Sequence, residues 1–507
     1  MLAPESLGLA ARLSVAALLI LTYPLARAIH NVYFHPLAHC PGPRRWAASR
    51  LPFVWSLLSG MIVHDVDKLH RKYGPVVRVA PNEISFAHMD AWSDIFQGRP
   101  GHLPFLKDPV WWAKVPEHPE SLITAINPEI HARIRKVLSG GFTQRALRAQ
   151  EPIVQKYVGL LIERLRGLVV VDDSGSAVLD IVPWFNYTTF DIFGDLGFAE
   201  SFDCLQDARY HPWIALLFNS VKAFSFGVAA RFYPLIEFIL MKCIPKSLKK
   251  MQSDHFQQIV GKVQRRLNWE VERSDLMSHV IKHNNEKEEM SHGEIQATFM
   301  VLTTAGSETT ATVLSGTLNN LISKPQMLST LTKEIRGEFA KEADMTLDAL
   351  CELPYLNATI QEGLRLCPPI PVILPRVVPE GGDFVCGMWL PAGTSVSLQT
   401  WSLFRDPQNF HEAANFLPER WLPSAEQPES PFYNDQRDAV QPFSVGSRSC
   451  MGKHLAWAEM RLVLARMLWE FDVNMAGKPL KWEDLKTFLL VEKRPIDIRI
   501  QLRKDLK

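Results

Sequence analysis

The stretch Phe443-Ser444-Val445-Gly446-Ser447-Arg448-Ser449-Cys450-Met451-Gly452 constrains this chain more than any other. It sets one cysteine between two glycines, shortly after an arginine and just ahead of an apolar, helix-like run from Leu455 to Trp469. A thiolate at a helix N-terminus is favoured by the free backbone N–H groups and by the dipole there. Sulfur held in that way is a good ligand for a haem iron. Gly446 and Gly452 let the backbone turn and a flat ring approach, Arg448 suits a haem propionate, and Phe443 can pack beside the sulfur and limit water. A buried structural cysteine is the plain alternative. A phosphate loop is excluded, because the two glycines stand one residue too far apart and His454, not Ser or Thr, follows Lys453.

The spacing Phe-x-x-Gly-x-Arg-x-Cys-x-Gly resembles the haem-binding loop of the cytochromes P-450. The resemblance makes Cys450 the iron ligand of a haem b. Two further segments resemble the same family in its fungal microsomal form. They are the linker Tyr33-Phe34-His35-Pro36-Leu37 with Cys40-Pro41-Gly42-Pro43, and His70-Arg71-Lys72-Tyr73-Gly74-Pro75-Val76-Val77-Arg78.

The seven cysteines, at 40, 204, 243, 351, 367, 386 and 450, are scattered and unpaired in spacing. They form no disulfide framework and no zinc motif, and they fit a reducing compartment. A net charge of +1 gives no reason to expect nucleic acid as a partner. Leu13 to Ala26 is apolar and uncharged, flanked by Arg12 and Arg27. It is short for a span, and a signal-peptide core is the rival reading. Arginines can snorkel, however, so Leu7 to Ile29 reads as a retained anchor. The expected division is an anchor over 1–30, a Pro-rich hinge over 31–45 and a catalytic domain over 46–507. By resemblance, the anchor lies in the endoplasmic reticulum membrane as a single pass, with the catalytic domain facing the cytosol.

Between these landmarks the chain predicts a mainly α protein with small β-sheets. Val76 to Ala80 and Glu83 to Phe86 flank Pro81-Asn82 as a hairpin, and Ile496 to Leu502 alternates as a strand. Arg99 to Asn127 reads as one long loop, and the polar run His283 to Glu289 as another. Pro128 to Lys282 is mostly helical in period. Regular βαβ alternation and a G-x-G-x-x-G fingerprint are both missing, so the chain carries no dinucleotide fold of its own. By resemblance the fold is the single, triangular-prism-like domain of the cytochromes P-450, with an N-terminal membrane helix.

Ser291-His292-Gly293-Glu294 has the form of a capping box, and a helix should run from it to about Ser323, where Pro325 stops it. Mid-helix lies Ala305-Gly306-Ser307-Glu308-Thr309-Thr310. A glycine there costs about 1 kcal/mol relative to alanine, and an acid with hydroxyls is odd in a core helix. Such violations of local rules mark sites. The motif resembles the family's Ala-Gly-x-Glu-Thr, which lies across the distal haem face. Gly306 would leave room for dioxygen, Thr309 would hydrogen-bond the oxygen being activated, and Glu308 would connect it to a proton relay. A hydroxyl beside a carboxylate suits a reaction that needs protons delivered.

Glu362 and Arg365 lie one helical turn apart and can pair. With Arg420 in Phe416-Leu417-Pro418-Glu419-Arg420-Trp421, they match the family's buried triad. His131-Ala132-Arg133-Ile134-Arg135 resembles the family's W-x-x-x-R helix, with His131 in place of the usual Trp. The resemblance makes Arg135 and Arg376 propionate partners and leaves the contact of His131 open.

The resemblance implies a haem-thiolate monooxygenase of fungal secondary metabolism. It would insert one atom of dioxygen into a lipophilic terpenoid, polyketide or aromatic. The electrons of NADPH would arrive through NADPH–cytochrome P-450 reductase, with cytochrome b5 as a further donor. Lys453, Arg461 and Lys136 would give that reductase a basic face. The substrate pocket would take in the Arg99–Asn127 loop, Trp213 to Phe232, Ile370 to Leu374 and the turn Phe488-Leu489-Leu490. Two other readings stand beside it. One is a desaturating, ring-forming or isomerising enzyme of the same cofactor. The other is a membrane-tethered binding protein without haem.

Overall fold

A computed structural model describes residues 9–114, 119–171, 175–269, 271–287 and 289–504. The longest core element is the helix expected after Ser291. Helix α8 (His292–Ile322) is 31 residues long, or about 46 Å at 1.5 Å per residue. Its start is the predicted capping box. The Glu294 backbone N–H donates to the Ser291 hydroxyl at 3.3 Å, and the Ser291 N–H donates back to the Glu294 carboxylate at 2.9 Å. Its second half is buried on every side. Most of its hydroxyls are compatible with that burial because they turn back on their own helix, while Ser307 donates across to the Thr189 carbonyl of the neighbouring helix at 3.2 Å. Thr303 donates to the Phe299 carbonyl at 2.8 Å, Thr312 to Glu308 at 2.7 Å and Ser315 to Ala311 at 2.7 Å.

Around α8 pack α5 (Ile181–Phe198), α9 (Pro354–Leu366) and α10 (Lys453–Glu470), and α4 (Gln144–Val171) closes over α5 and α10. These four helices and α8 enclose one continuous apolar core. Helix α5 is buried over almost its whole length. It is capped by Asp180, whose carboxylate accepts from the Val182 N–H at 3.1 Å. The remaining helices used below are α1 (Leu9–Tyr33), α2 (Leu51–Ser59), α3 (Pro128–Ser139), α6 (Pro212–Arg231) and α7 (Pro234–Cys243).

The strands are β1 (Val76–Ala80), β2 (Glu83–Phe86), β3 (Leu106–Lys107), β4 (Ser176–Asp180), β5 (Ile373–Val377), β6 (Asp383–Val385), β7 (Met388–Leu390), β8 (Ser395–Leu398), β9 (Phe471–Met475), β10 (Thr487–Phe488), β11 (Leu490–Val491) and β12 (Asp497–Leu502). They form a five-stranded sheet in the order β1-β2-β8-β5-β3, a three-stranded sheet β4-β12-β9, and two hairpins, β6-β7 and β10-β11. The expected hairpin is β1 with β2, antiparallel, with Val76 opposite Phe86. The alternating tail is β12, with Ile498 and Ile500 buried between exposed Asp497, Arg499 and Gln501.

Two loop expectations need correction. The Arg99–Asn127 segment holds β3 and a helical turn at Pro109–Trp112. Leu106 pairs with Val377 and Lys107 with Arg376 across the sheet edge, and Asp108 caps the turn. The polar run at His283 is helical as far as Lys287, because buried Leu276, Met277 and Val280 anchor that helix whatever its outer face carries. At the N-terminus the expected anchor begins outside the described residues. Among those described, no helix is long and apolar enough to cross a membrane. Helix α1 contains Arg12, Pro24 and Arg27, and it continues through Tyr33 into what was expected to be hinge.

Candidate functional site

One cavity of about 330 Å³ lies between α8 and the loop that precedes α10, a size suited to a small molecule or cofactor. Cys450, Phe443, Arg448 and Gly452 line one side. Ala305, Gly306 and Thr309 of α8 line the other, and His131 and Arg135 of α3 lie at its edge. The structure therefore gathers residues that are more than 300 positions apart in the chain.

The Cys450 loop is shaped by its backbone. The Cys450 N–H donates to the Phe443 carbonyl at 2.8 Å. Gly446 has φ +77°, and a Cβ there would stand 2.0 Å from the Phe96 carbonyl oxygen. This glycine is thus required by a close approach of protein backbone as well as by the turn. Gly452 differs, since its nearest neighbour at that position is the Cys450 sulfur at 3.9 Å. Burial raises the Cys450 thiol's pKa, while the N–H groups of Gly452 and Lys453 and the charge of Arg135 pull it down. A bound metal ion would reverse that balance in favour of the thiolate.

The cavity edge is strongly cationic. Arg448 donates to the carbonyls of Ala125 at 2.6 Å and Ile126 at 2.8 Å, and Arg135 donates to the Ser449 carbonyl at 2.8 Å. Lys107 donates to the Ile123 carbonyl at 2.5 Å. Burial brings Arg376 down to about 9, with help from Arg448, and brings Arg448 down to about 10. Burial, followed by Arg448, Lys107, Arg135 and Arg376, holds His131 near 3, so that it is neutral. No ion pair joins Lys107, Arg135, Arg376 or Arg448 to a carboxylate among the described residues. Arg135, Arg376 and Arg448 crowd together without a counter-charge, which is costly, and burial, followed by Arg376 and Arg448, pushes the pKa of buried Lys107 well below its usual value. That donor set fits a group carrying carboxylates of its own, and the Cys450 sulfur facing the same space fits an iron. A haem propionate pair with a thiolate-bound iron meets both conditions.

On α8 the structure separates two residues that the sequence places side by side. Thr309 lines the cavity, and its hydroxyl donates to the Ala305 carbonyl at 2.6 Å. Glu308 faces away and does not line the cavity. It is buried in an ion pair with Lys493, whose ammonium also donates to Thr312 at 2.9 Å. Burial raises the Glu308 pKa and lowers that of Lys493, and each charge opposes the shift of the other. Gly306 is pressed by the Phe193 ring of α5, with 3.0 Å to a hypothetical Cβ, so a side chain there would have to displace that ring.

Behind the cavity, Glu362 receives Arg365 on both oxygens at 2.7 and 2.8 Å and Arg420 at 3.1 Å. Leu417 N–H and the Trp421 indole complete its shell at 2.9 and 2.8 Å. Burial works to raise the Glu362 pKa, but the two guanidiniums and these donors outweigh it and hold it low. Asp435 joins the triad through an ion pair to Arg420, so two cations face two anions.

With this geometry in view, comparison with known proteins is decisive. A cytochrome P-450 family profile matches residues 43–499. This chain is a cytochrome P-450. A cytochrome P-450 monooxygenase of Purpureocillium lilacinum is 41% identical over 95% of this chain and 93% of its own length. The averantin hydroxylase of Dothistroma septosporum is 39% identical over 96% of this chain and 90% of its own. The trichothecene C-4 hydroxylase of Trichoderma arundinaceum is 40% identical over 96% of each. Membership in the family implies haem as the cofactor and a monooxygenase as the activity, and it sets aside the binding protein without haem.

Some expectations about this cytochrome P-450 shift in the structure. Of the three basic residues meant for a reductase, Lys453 is exposed, whereas Lys136 pairs with Glu289 at 3.2 Å. Arg461 is held by Asn357 at 2.6 Å and by the Cys351 sulfur at 3.1 Å. The turn at Leu489 does not line the cavity. Phe488 packs beneath Gly60 and under the Lys222 ammonium. Phe224 of α6 packs on Trp111, and Phe232, just past its end, packs on Phe53, while the Trp213 side chain and the Leu374 side chain lie outside the described residues. Of the expected lining, Leu122 and Ile123 of the Arg99–Asn127 segment and Ile370 do line the cavity, and Phe193, Val301 and Leu302 complete its apolar wall. Lys107, Glu459 and Lys493 escaped the sequence reading. Only Glu459 carried a signal, as an acid on the buried face of α10.

Proposed function

We propose that this chain hydroxylates a lipophilic small molecule of fungal secondary metabolism, taking electrons from NADPH through a separate reductase. The observation that carries the reading is that Cys450 faces Ala305, Gly306 and Thr309 across one cavity whose edge is cationic. Bound haem supplies reduction of dioxygen and insertion of one of its atoms into a C–H bond. The protein's part is positional. Cys450 would hold the iron, and Arg135, Arg376, Arg448 and Lys107 would hold the carboxylates. His131, kept neutral, would offer a hydrogen bond without adding charge. Thr309 holds a hydroxyl proton at the cavity wall. Glu308 would exchange protons with that region once freed from Lys493. The wall of Leu122, Ile123, Phe193, Val301 and Ile370 excludes water and favours an apolar substrate.

Two relatives of about 40% identity are named for the hydroxylation of averantin and of a trichothecene, which supports a substrate of that general kind. Membrane association is part of the proposal. Helix α7 buries none of its residues, and it exposes Leu235 by 72% and Phe238 by 57%, while Trp55 of α2 is 77% exposed. Apolar surface on this scale calls for a non-aqueous neighbour.

The test is the purified, reduced protein under carbon monoxide. A red-shifted Soret band, together with product that carries one atom of labelled dioxygen, is the expected result. Oxidised product without label would mean desaturation or ring closure, and the absence of a Soret band would remove the reading. Thr309→Ala should retain the band and send most of the consumed electrons to hydrogen peroxide, as measured by peroxide formed per NADPH. Coupling equal to that of the parent would take Thr309 out of the proton path.

A further inference from the structure

A second, smaller cavity lies against the helical turn at Pro109–Trp112. It measures about 30 Å³, and Phe53, Val79, Glu83, Trp111, Pro375 and Gln399 are among the residues that line it. Three of these carry polar groups, and all three are buried. The Trp111 indole N–H and the Gln399 Oε1 are enclosed without a hydrogen-bond partner among the described residues, so neither bonds the other. Glu83 is the third, and its Oε2 accepts from Arg50 at 2.5 Å.

The chemistry of this lining selects an occupant. An indole N–H can only donate, whereas an amide oxygen and a carboxylate can only accept. A cation would be turned away by the indole N–H, and an anion by Glu83 and Gln399. A species that both accepts and donates serves the two sides at once, and water is the one that fits the volume. A water needs about 10–15 Å³ of such space and two to four polar partners, so this cavity takes one or two.

The position of the cavity gives that water a task. Asp108, the cap of the turn, accepts from the Ser395 hydroxyl at 2.8 Å, which ties the turn to the first residue of β8. Gln399 stands just past the other end of β8 and is itself fixed by the Val63 carbonyl at 3.2 Å. The turn also carries α6, since Arg231 donates to the Val110 carbonyl at 3.2 Å and Phe224 packs on Trp111. Lys107, before the turn, and Leu122 and Ile123, beyond it, line the main cavity.

We propose that this second cavity is an ordered-water site, in which water accepts from the Trp111 indole N–H and donates to the Gln399 Oε1 and the Glu83 carboxylate, pinning the Pro109–Trp112 turn to β8 at the end opposite Asp108. The segment that brings Lys107, Leu122 and Ile123 to the main cavity is thereby held at both ends of one strand. The inference goes beyond the haem reading and does not depend on it.

Nuclear magnetic resonance of the full chain as purified, labelled with nitrogen-15 at tryptophan and kept under reductant and carbon monoxide, tests this. The Trp111 indole N–H resonance, identified by its loss in Trp111→Phe, should show direct cross-relaxation with water of the sign that marks a bound molecule. It should keep that signal in Ser85→Ala and in Ser397→Ala, the two hydroxyl residues that also line the cavity. Gln399→Met, which removes an acceptor, should move the indole resonance upfield although no hydrogen bond joins the two side chains. Trp111→Phe and Gln399→Met should each lower the thermal midpoint, and the double variant should lose less than their sum, because either change alone releases the bridge. An indole resonance without water cross-relaxation overturns the proposal, and so does a signal that vanishes with either serine hydroxyl. A resonance that Gln399→Met leaves unmoved, or midpoint losses that add in full, overturns it equally.

Discussion

Cys450→Ser should give a folded protein that has lost the red-shifted carbon monoxide band, with turnover at least about a hundredfold down, or roughly 2.7 kcal/mol at the barrier. The substitution changes one atom. A serine hydroxyl ionises far less readily than a thiol and is a poorer ligand for iron, so the electron donation expected of the sulfur goes with it. Little else depends on that atom. Cys450 faces the cavity, and its contacts are the N–H groups of Gly452 and Lys453, which a hydroxyl oxygen can also accept. The loop is held by the Cys450 N–H bond to Phe443 and by the packing of Gly446 on Phe96, both of which are untouched. The cost to stability should therefore stay within about 1 kcal/mol, as checked by the urea midpoint of the apoprotein. A serine variant with the parent's spectrum and turnover would mean that another residue holds the iron.

What the sequence made legible follows from what is local. The Cys450 loop, the capping box at Ser291 and the strand at Ile498 are encoded within a few residues of one another, by glycine, hydroxyl and alternating apolar positions. Glu362 with Arg365 belongs to the same class, since one helical turn fixes its geometry. The partners that complete these features come from afar and left no local trace. Lys493 reaches Glu308 across 185 positions, and Asp435 enters the Glu362 network from a loop of short turns. Lys107 reaches the cavity edge only because β3 pairs with β5, and a two-residue strand has no period to read. The polar run at His283 is helical rather than a loop for a related reason. Its outer face is what the sequence displays, while the buried residues that hold the helix lie one and two turns earlier. Glu308 and Thr309 are the most instructive pair, because consecutive residues on a helix point about 100° apart. Adjacency in the motif therefore let one face the cavity and turned the other toward Lys493.

Arg420→Ala should destabilise the fold by about 3–5 kcal/mol, a large share of the 5–15 kcal/mol typical of a native protein. Arg420 is fully buried and points its guanidinium three ways, to Glu362 at 3.1 Å, to Asp435 and to the His411 carbonyl at 2.9 Å. Alanine leaves Asp435 without its cation in a site that water does not reach, and it leaves Glu362 with Arg365 as its one cation beside the Leu417 N–H and the Trp421 indole. Arg420→Lys should recover only part of the loss, because a single ammonium cannot serve three directions that a planar fork meets at once. The acid side has a definite sign. The Glu362 pKa is lowered in the folded state, so its contribution is present above the unfolded carboxylate value and is lost as pH falls through the folded one. The parent should thus be more acid-sensitive than an Arg420→Ala variant, in which that linkage is already weakened. Urea midpoints of parent, Lys and Ala variants at pH 7 and pH 4 measure both effects. Equal midpoints at pH 7 would show that the four buried charges repay no more than their own desolvation, and the network would then have no part in locking the core behind the cavity.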